Sequence, residues 1–146
     1  MAGETKQKKM MLIGESGVGK TTLIQVLSGE GFSSKKTQAV EFCGRFIDTP
    51  GEFLENRRFY PALITSSADC DVVAMVQDAT RISSLFPPQF SSIFTRKVIG
   101  IVTKVDVEGC NVERAERFLA NAGVKEIIRS SSKTNVGLDK LQELLA

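Results

Sequence analysis

Short apolar runs alternate along the chain with segments in which apolar positions recur every three or four residues. That pattern predicts a mostly parallel sheet with helices on both faces. Lys9–Ile13 is expected as a buried first strand, followed by a glycine-rich turn and an amphipathic helix over Lys20–Leu27 that stops at Gly29 and Gly31. Ser33–Gln38 is polar and without periodicity, and reads as a loop. Ala39–Cys43 and Gly44–Asp48 form two extended runs, a hairpin turning near Cys43-Gly44, and Thr49-Pro50-Gly51 then interrupts sharply. After a charged stretch come two strong strand signals, Asp71–Gln77 and Lys97–Thr103. The paired prolines between Leu85 and Phe90 forbid a long helix there. Asn111–Ala122 sets Val112, Ala115, Phe118, Leu119 and Ala122 on one stripe. Glu126–Ser130 is a last short strand, and Leu138–Leu145 a closing helix.

The sequence, 146 residues with 42% hydrophobic and 25% charged positions, is the size of one compact domain, expected to span 1–146 with a flexible polar start over 1–8. Nineteen Lys and Arg against 17 Asp and Glu give a net charge of +2, too small to point to nucleic acid or a membrane surface as partner. The absence of histidine excludes Ser-His-Asp and Cys-His catalysis and histidine metal sites. Cys43, Cys70 and Cys110 match neither a disulfide framework nor zinc spacing, and no apolar run is long enough to span a bilayer, so a cytoplasmic protein is expected.

Gly14-Glu15-Ser16-Gly17-Val18-Gly19-Lys20-Thr21 is G-x-x-x-x-G-K-T between an expected strand and an expected helix. Such a loop turns backbone N–H groups toward phosphate oxygens, and the helix that follows adds its positive end. Lys20 would reach the β and γ phosphates, and the Thr21 hydroxyl would ligate Mg2+, with Thr22 next to it. Asp48-Thr-Pro-Gly51, at a strand end 27 residues past Thr21, adds a carboxylate able to hold Mg2+ through a water and a glycine whose N–H can approach a γ-phosphate. Thr37, in the polar loop, is a second candidate hydroxyl for the metal. Lys20, Thr37, Gly51 and Glu52 are the candidates for the chemistry itself.

Thr103-Lys104-Val105-Asp106 follows a buried strand. Its aspartate can accept from N1–H and the exocyclic amine of guanine, whereas the N1 lone pair of adenine repels it, and Lys104 can lie along the base plane. Ser130-Ser131-Ser132-Lys133 can offer backbone N–H to guanine O6. GTP and GDP are thus the expected nucleotides, with ATP as the alternative.

In this order, G-x-x-x-x-G-K-T, Thr37, D-T-P-G, T-K-V-D and S-S-K resemble the five elements of the small-GTPase class of P-loop proteins. More narrowly, Lys36-Thr-Gln-Ala-Val-Glu-Phe42, Ile47-Asp-Thr-Pro-Gly-Glu52, Leu54-Glu-Asn-Arg-Arg58 and Ser84-Leu-Phe-Pro-Pro88 resemble the EutP/PduV family. The resemblance implies a three-layer P-loop NTPase fold with about six strands. It also implies a role beside bacterial ethanolamine or propanediol utilisation, whose protein-shelled microcompartments would supply a shell protein as partner. Three functions follow from it: a slow magnesium-dependent GTPase switch, an ATP-dependent acetate kinase of the EutP type, or a nucleotide-binding adaptor to the shell. Three departures matter. Thr103 stands where the class usually has asparagine, losing a side-chain amide but keeping the aspartate, and Ser131-Ser132-Lys133 replaces the usual S-A-K, so both bear on base preference rather than on phosphate binding. Glu52 stands where many relatives place a water-orienting glutamine, so slow hydrolysis is expected. Arg57 and Arg58 are read as solvated or partner-facing before an arginine finger on the transferring phosphoryl, Lys35 and Lys36 carry the same alternatives, and Phe86 to Phe90 is read as core before contact surface.

Overall fold

The computed structural model describes residues 8–28, 41–43 and 45–145, the side chains of 41–43 excepted. Six strands form one sheet: β1 Met10–Ile13, β2 Glu41–Cys43, β3 Phe46–Asp48, β4 Val72–Asp78, β5 Lys97–Thr103 and β6 Ile127–Arg129. Their order across the sheet is β2-β3-β1-β4-β5-β6, with β2 antiparallel to β3 and every other pair parallel. The helices are α1 Lys20–Ser28, α2 Glu52–Glu55, α3 Tyr60–Ser67, α4 Val112–Asn121 and α5 Leu138–Leu144.

Alternation along the strands explains the three layers. On β1, Met10 and Leu12 join the cluster packed beneath α1 and α5, while Met11 and Ile13 face the opposite side. On β4, Val72, Ala74 and Val76 follow the first set, and Val73 and Met75 the second. Both faces of the central strands are covered, so they read as unbroken apolar runs. Leu23, Ile24 and Leu27 carry α1 onto one face, and Leu138 and Leu141 carry α5. Ala115 and Leu119 of α4 close the other face, together with Phe86, Phe90 and Phe94. The Asn111 side chain accepts from Arg114 N at 2.9 Å and caps α4.

The expected strands and helices are present, with ends displaced by one or two residues and β5 spanning the expected positions. The hairpin turns through Arg45 between β2 and β3. Phe86 and Phe90 are buried, Phe90 packing edge-on with Tyr60 and Phe94 and at a tilt against Phe86, so that segment belongs to the core. The stretch after Glu52, expected only as charged chain, contains α2, a 3-10 turn at Arg57–Phe59 and α3. Residues 1–7 and 29–40, and with them Lys35, Lys36 and Thr37, lie outside the described residues.

Candidate functional site

The loops that leave the C-terminal ends of β1, β3, β4, β5 and β6 meet at one edge of the sheet, where open parallel sheets place their ligands. The loop after β1 is the glycine-rich turn. Gly17 and Gly19 sit at φ 83° and 103°, a region in which a side chain would be strained, and Lys20 opens α1 directly behind them.

The loop is held from within and from without. Inside, the buried Lys20 Nζ donates to Gly14 O at 2.8 Å and to Glu15 O at 3.1 Å, bridging its start. Outside, Arg81 Nη2 donates to Ser16 O at 2.6 Å, Lys104 Nζ to Gly17 O at 3.1 Å and Thr103 Oγ1 to Val18 O at 2.7 Å. Burial lowers the Lys20 ammonium to about 8, against the attraction of the Asp48, Glu55 and Glu15 carboxylates and with the help of the nearby Arg81 charge.

Thr21 Oγ1 donates to Asp48 Oδ2 at 2.8 Å, joining α1 to the end of β3. A hydroxyl oxygen and a carboxylate are both hard donors, the kind that Mg2+ takes, so these two residues fit that ion and would hold it. Among the described residues no cluster of three or more His, Cys, Asp or Glu exists, so an all-protein cage of that kind is not built there. Thr49 Oγ1 donates to Leu12 O at 2.7 Å and fixes the turn that delivers Gly51. Gly51 lies directly on Ser16: a Cβ there would collide with Ser16 Oγ and N and stand 2.8 Å from its Cα. Its own φ of −57° suits any residue, so space, not backbone freedom, demands glycine. Beside it Ser16 N donates to Glu55 Oε2 at 3.2 Å, and the buried Ser16 hydroxyl has no hydrogen-bond partner among the described residues. Glu52 is exposed, as are Arg57 and Arg58, the latter guanidinium 5.3 Å from the Phe59 ring centre.

Next to the loop opens a cleft of about 230 Å³ lined by Val18, Gly19 and Thr22, by Thr103, Lys104, Asp106 and Val107, and by Ser132 and Lys133. Three segments distant in sequence thus converge on one cavity. Ser131 Oγ donates to Asp106 Oδ1 at 2.6 Å, and this bond holds the carboxyl below the usual range. Ser131 itself is buried and also accepts from Thr134 N at 3.1 Å, so it acts on Asp106 from behind. Lys104, at φ 61°, forms an ion pair with the buried Asp78 at 2.8 Å. Burial works against the charged Asp78 carboxylate, but hydrogen bonds from Lys104 and Thr80 outweigh it and lower its pKa.

Residues 7–146 match the profile of a family described as ethanolamine utilisation and propanediol utilisation, PduV-EutP. The chain belongs to the PduV-EutP family. Its relatives include the propanediol utilization protein PduV of Citrobacter freundii, 41% identical over 135 residues covering 92% of this chain and 90% of that one. The probable acetate kinase EutP of Salmonella typhimurium is 37% identical over 123 residues, 83% and 77% of the two chains. Among solved structures, an Aquifex aeolicus Era variant bound to GDP and AlF4− superposes with a TM-score of 0.66 at 21% identity, over 96% of this chain. The chain spans 56% of the length of that Era structure, and the two share the P-loop fold.

In this PduV-EutP member, the threonine at 103 has its own way of reaching the phosphate loop, since its hydroxyl bonds the Val18 carbonyl. Lys104 grips loop and Asp78 through its amine, contacts that its expected place along the base plane does not include. Arg81, Asp78 and Glu55 escaped that reading. Asp78 ends a buried parallel strand and Ala79-Thr80-Arg81 turns away from it, a position where parallel sheets carry ligand-facing residues.

Proposed function

We propose that this protein is a magnesium-dependent guanine-nucleotide-binding P-loop protein, a single domain that hydrolyses GTP slowly and serves as a switch beside a bacterial metabolic microcompartment. The observation that carries the reading is Asp106, an ionised carboxylate oriented by Ser131 at the cleft that adjoins the glycine-rich loop. Ionised, it only accepts, which matches the two N–H donors of guanine and opposes the N1 lone pair of adenine. The loop of residues 14–21 would hold the phosphates through its N–H groups and Lys20. Thr21 and Asp48 would hold Mg2+, with Thr37 as the further hydroxyl, and the ion when bound neutralises charge on the β and γ phosphates. Gly51 N–H and Lys20 would bond a transferring phosphoryl group. Glu52, exposed and carrying no amide to orient a water, leaves hydrolysis slow. A change of the Gly51 and Thr37 segments with the γ-phosphate is what a partner such as a shell protein would read. The site lies in a chain whose described residues include no helix long and apolar enough to cross a membrane, in keeping with a cytoplasmic location.

A second reading is supported by the name of the EutP relatives and by one contact. The Glu55 carboxylate already rests on Ser16 N, so the loop accepts a carboxylate at that point. In an acetate kinase, an acetate oxygen attacks the γ-phosphorus of ATP, the bond to the β–γ bridging oxygen breaks, and acetyl phosphate and ADP leave. The nucleophile is already ionised and needs no histidine. Calorimetric titration with GTP and ATP, with and without Mg2+, separates the two: tight GTP with undetectable ATP removes the kinase reading, and acetyl phosphate made from ATP and acetate supports it instead. Nucleotide affinity unchanged in Lys20→Ala would refute both.

A further inference from the structure

Arg81 stands on the turn after β4, in a position that no sequence motif of the loop names. Its guanidinium uses two faces at once: Nη1 pairs with Glu15 Oε1 at 3.1 Å, and Nη2 donates to Ser16 O at 2.6 Å. The group is about one-third exposed, with Nη2 3.3 Å from where a Gly17 side chain would begin, so it lies along the outer wall of the loop. The turn that carries it is itself fixed, because Asp78 Oδ1 accepts from Thr80 N at 2.8 Å and from Thr80 Oγ1 at 2.6 Å, and Arg81 N donates to Asp78 O at 3.2 Å.

The consequence follows from peptide geometry. In a trans peptide the C=O of one residue and the N–H of the next point in opposite directions. Arg81 on Ser16 O therefore turns Gly17 N–H away from itself, as Thr103 on Val18 O turns Gly19 N–H. Both of those glycines have positive φ, where the backbone is most free to rotate and an external restraint matters most. Lys104 and Thr103 belong to the base-side motif, but the restraint at the Ser16–Gly17 peptide comes from Arg81. A planar fork suits this double duty, whereas an ammonium has no fixed pair of parallel donors.

We infer that Arg81 is a positioning residue for polyphosphate binding: it sets the Ser16–Gly17 peptide so that the Gly17 N–H faces the phosphates. The inference rests on the nucleotide-binding reading, but not on which base is bound. The test compares wild type with Arg81→Ala and Arg81→Lys, titrated with the mono-, di- and triphosphates of guanosine and adenosine in Mg2+. Phosphorus NMR of the bound diphosphate and thermal melting complete the set. The expected result is about tenfold weaker binding of di- and triphosphate in Arg81→Ala, a moved β-phosphate resonance, monophosphate affinity within about twofold and an unchanged melting temperature. Arg81→Lys is expected between the two, and it carries the test should Arg81→Ala not fold. Wild type that binds while both variants match it in affinity and resonance overturns the inference alone. Equal loss for mono-, di- and triphosphate with a lowered melting temperature also overturns it, as a purely structural effect. Wild type that binds no nucleotide of either base overturns the functional reading and the inference with it.

Discussion

Lys20 gives the most quantitative handle on the phosphate site. Burial between the loop and α1 lowers its ammonium from 10.5 to about 8, and a bound polyphosphate restores the preference for charge. In the free protein roughly 90% of Lys20 is charged at pH 7 and roughly 10% at pH 9. A ligand that needs the charged form therefore binds about tenfold more weakly at pH 9 than at pH 7, and at pH 8 takes up about half a proton as it binds. Calorimetry in buffers of different ionisation heats reads that proton directly. Lys20→Arg, whose guanidinium stays charged, subtracts the titration of the nucleotide itself. The fold is affected with the opposite sign. Because the folded pKa lies below the unfolded one, charged Lys20 opposes folding below pH 8, and the penalty is relieved as pH rises from about 8 toward 10.5. The gap corresponds to roughly 3 kcal/mol, visible as a stability gain in alkali relative to Lys20→Met. Nucleotide affinity that is flat from pH 7 to 9 in wild type, with no proton taken up, would refute the assignment of Lys20 as a buried phosphate ligand.

Three further outcomes are expected. Gly51→Ala places a methyl group into the Ser16 backbone, so chemical denaturation should show a loss of about 1–3 kcal/mol, and the response to triphosphate over diphosphate should shrink. Asp106→Asn exchanges one acceptor for a donor, so titration should show GTP binding weakened by about a hundredfold or more and xanthosine triphosphate, which has a carbonyl in place of the amine, binding better than to wild type. Glu55→Gln keeps an acceptor for Ser16 N while removing a negative charge beside the phosphate loop, and competition binding should show GTP held a few-fold more tightly at low salt, with the gain fading as salt rises.

What the sequence disclosed follows the range of the contacts. The phosphate loop was legible because glycine spacing is a local requirement, and β4 and β5 because burial on both faces leaves an apolar run. Helix α4 showed its stripe. Helix α3 did not, since Leu63 and Ser67 are its only buried residues and, though four apart on one face, one of them is polar, so no apolar stripe shows. The order of strands has no local signature at all: β1 sits between β3 and β4 through crossovers that only the folded chain reveals. Contacts formed by Arg81 and Glu55 join positions 65 and 39 residues apart, so neither residue could be assigned from its neighbours. At Thr103 the sequence shows only a threonine where asparagine is usual, whereas in the fold the short hydroxyl reaches the Val18 carbonyl because β5 brings it within 2.7 Å.

The two ends of the site are mechanically one. Asp78 accepts Lys104 on one carboxylate oxygen and the Thr80 turn on the other, and that turn presents Arg81. Lys104 and Arg81 then hold successive carbonyls of the phosphate loop, while Asp106 and Thr103, on either side of Lys104 in the chain, serve the cleft and the next carbonyl. A shift of Lys104 therefore cannot leave either end undisturbed, because its amine has Asp78 and the Gly17 carbonyl as partners at once. Removing Asp78 would leave Lys104 without its ion-pair partner and free the turn that aims Arg81, loosening two adjacent peptides of the loop together. The coupling needs no moving domain, since its parts are side chains at or just beyond the ends of adjacent parallel strands β4 and β5, whose backbone pairing runs unbroken to Asp78 and Thr103.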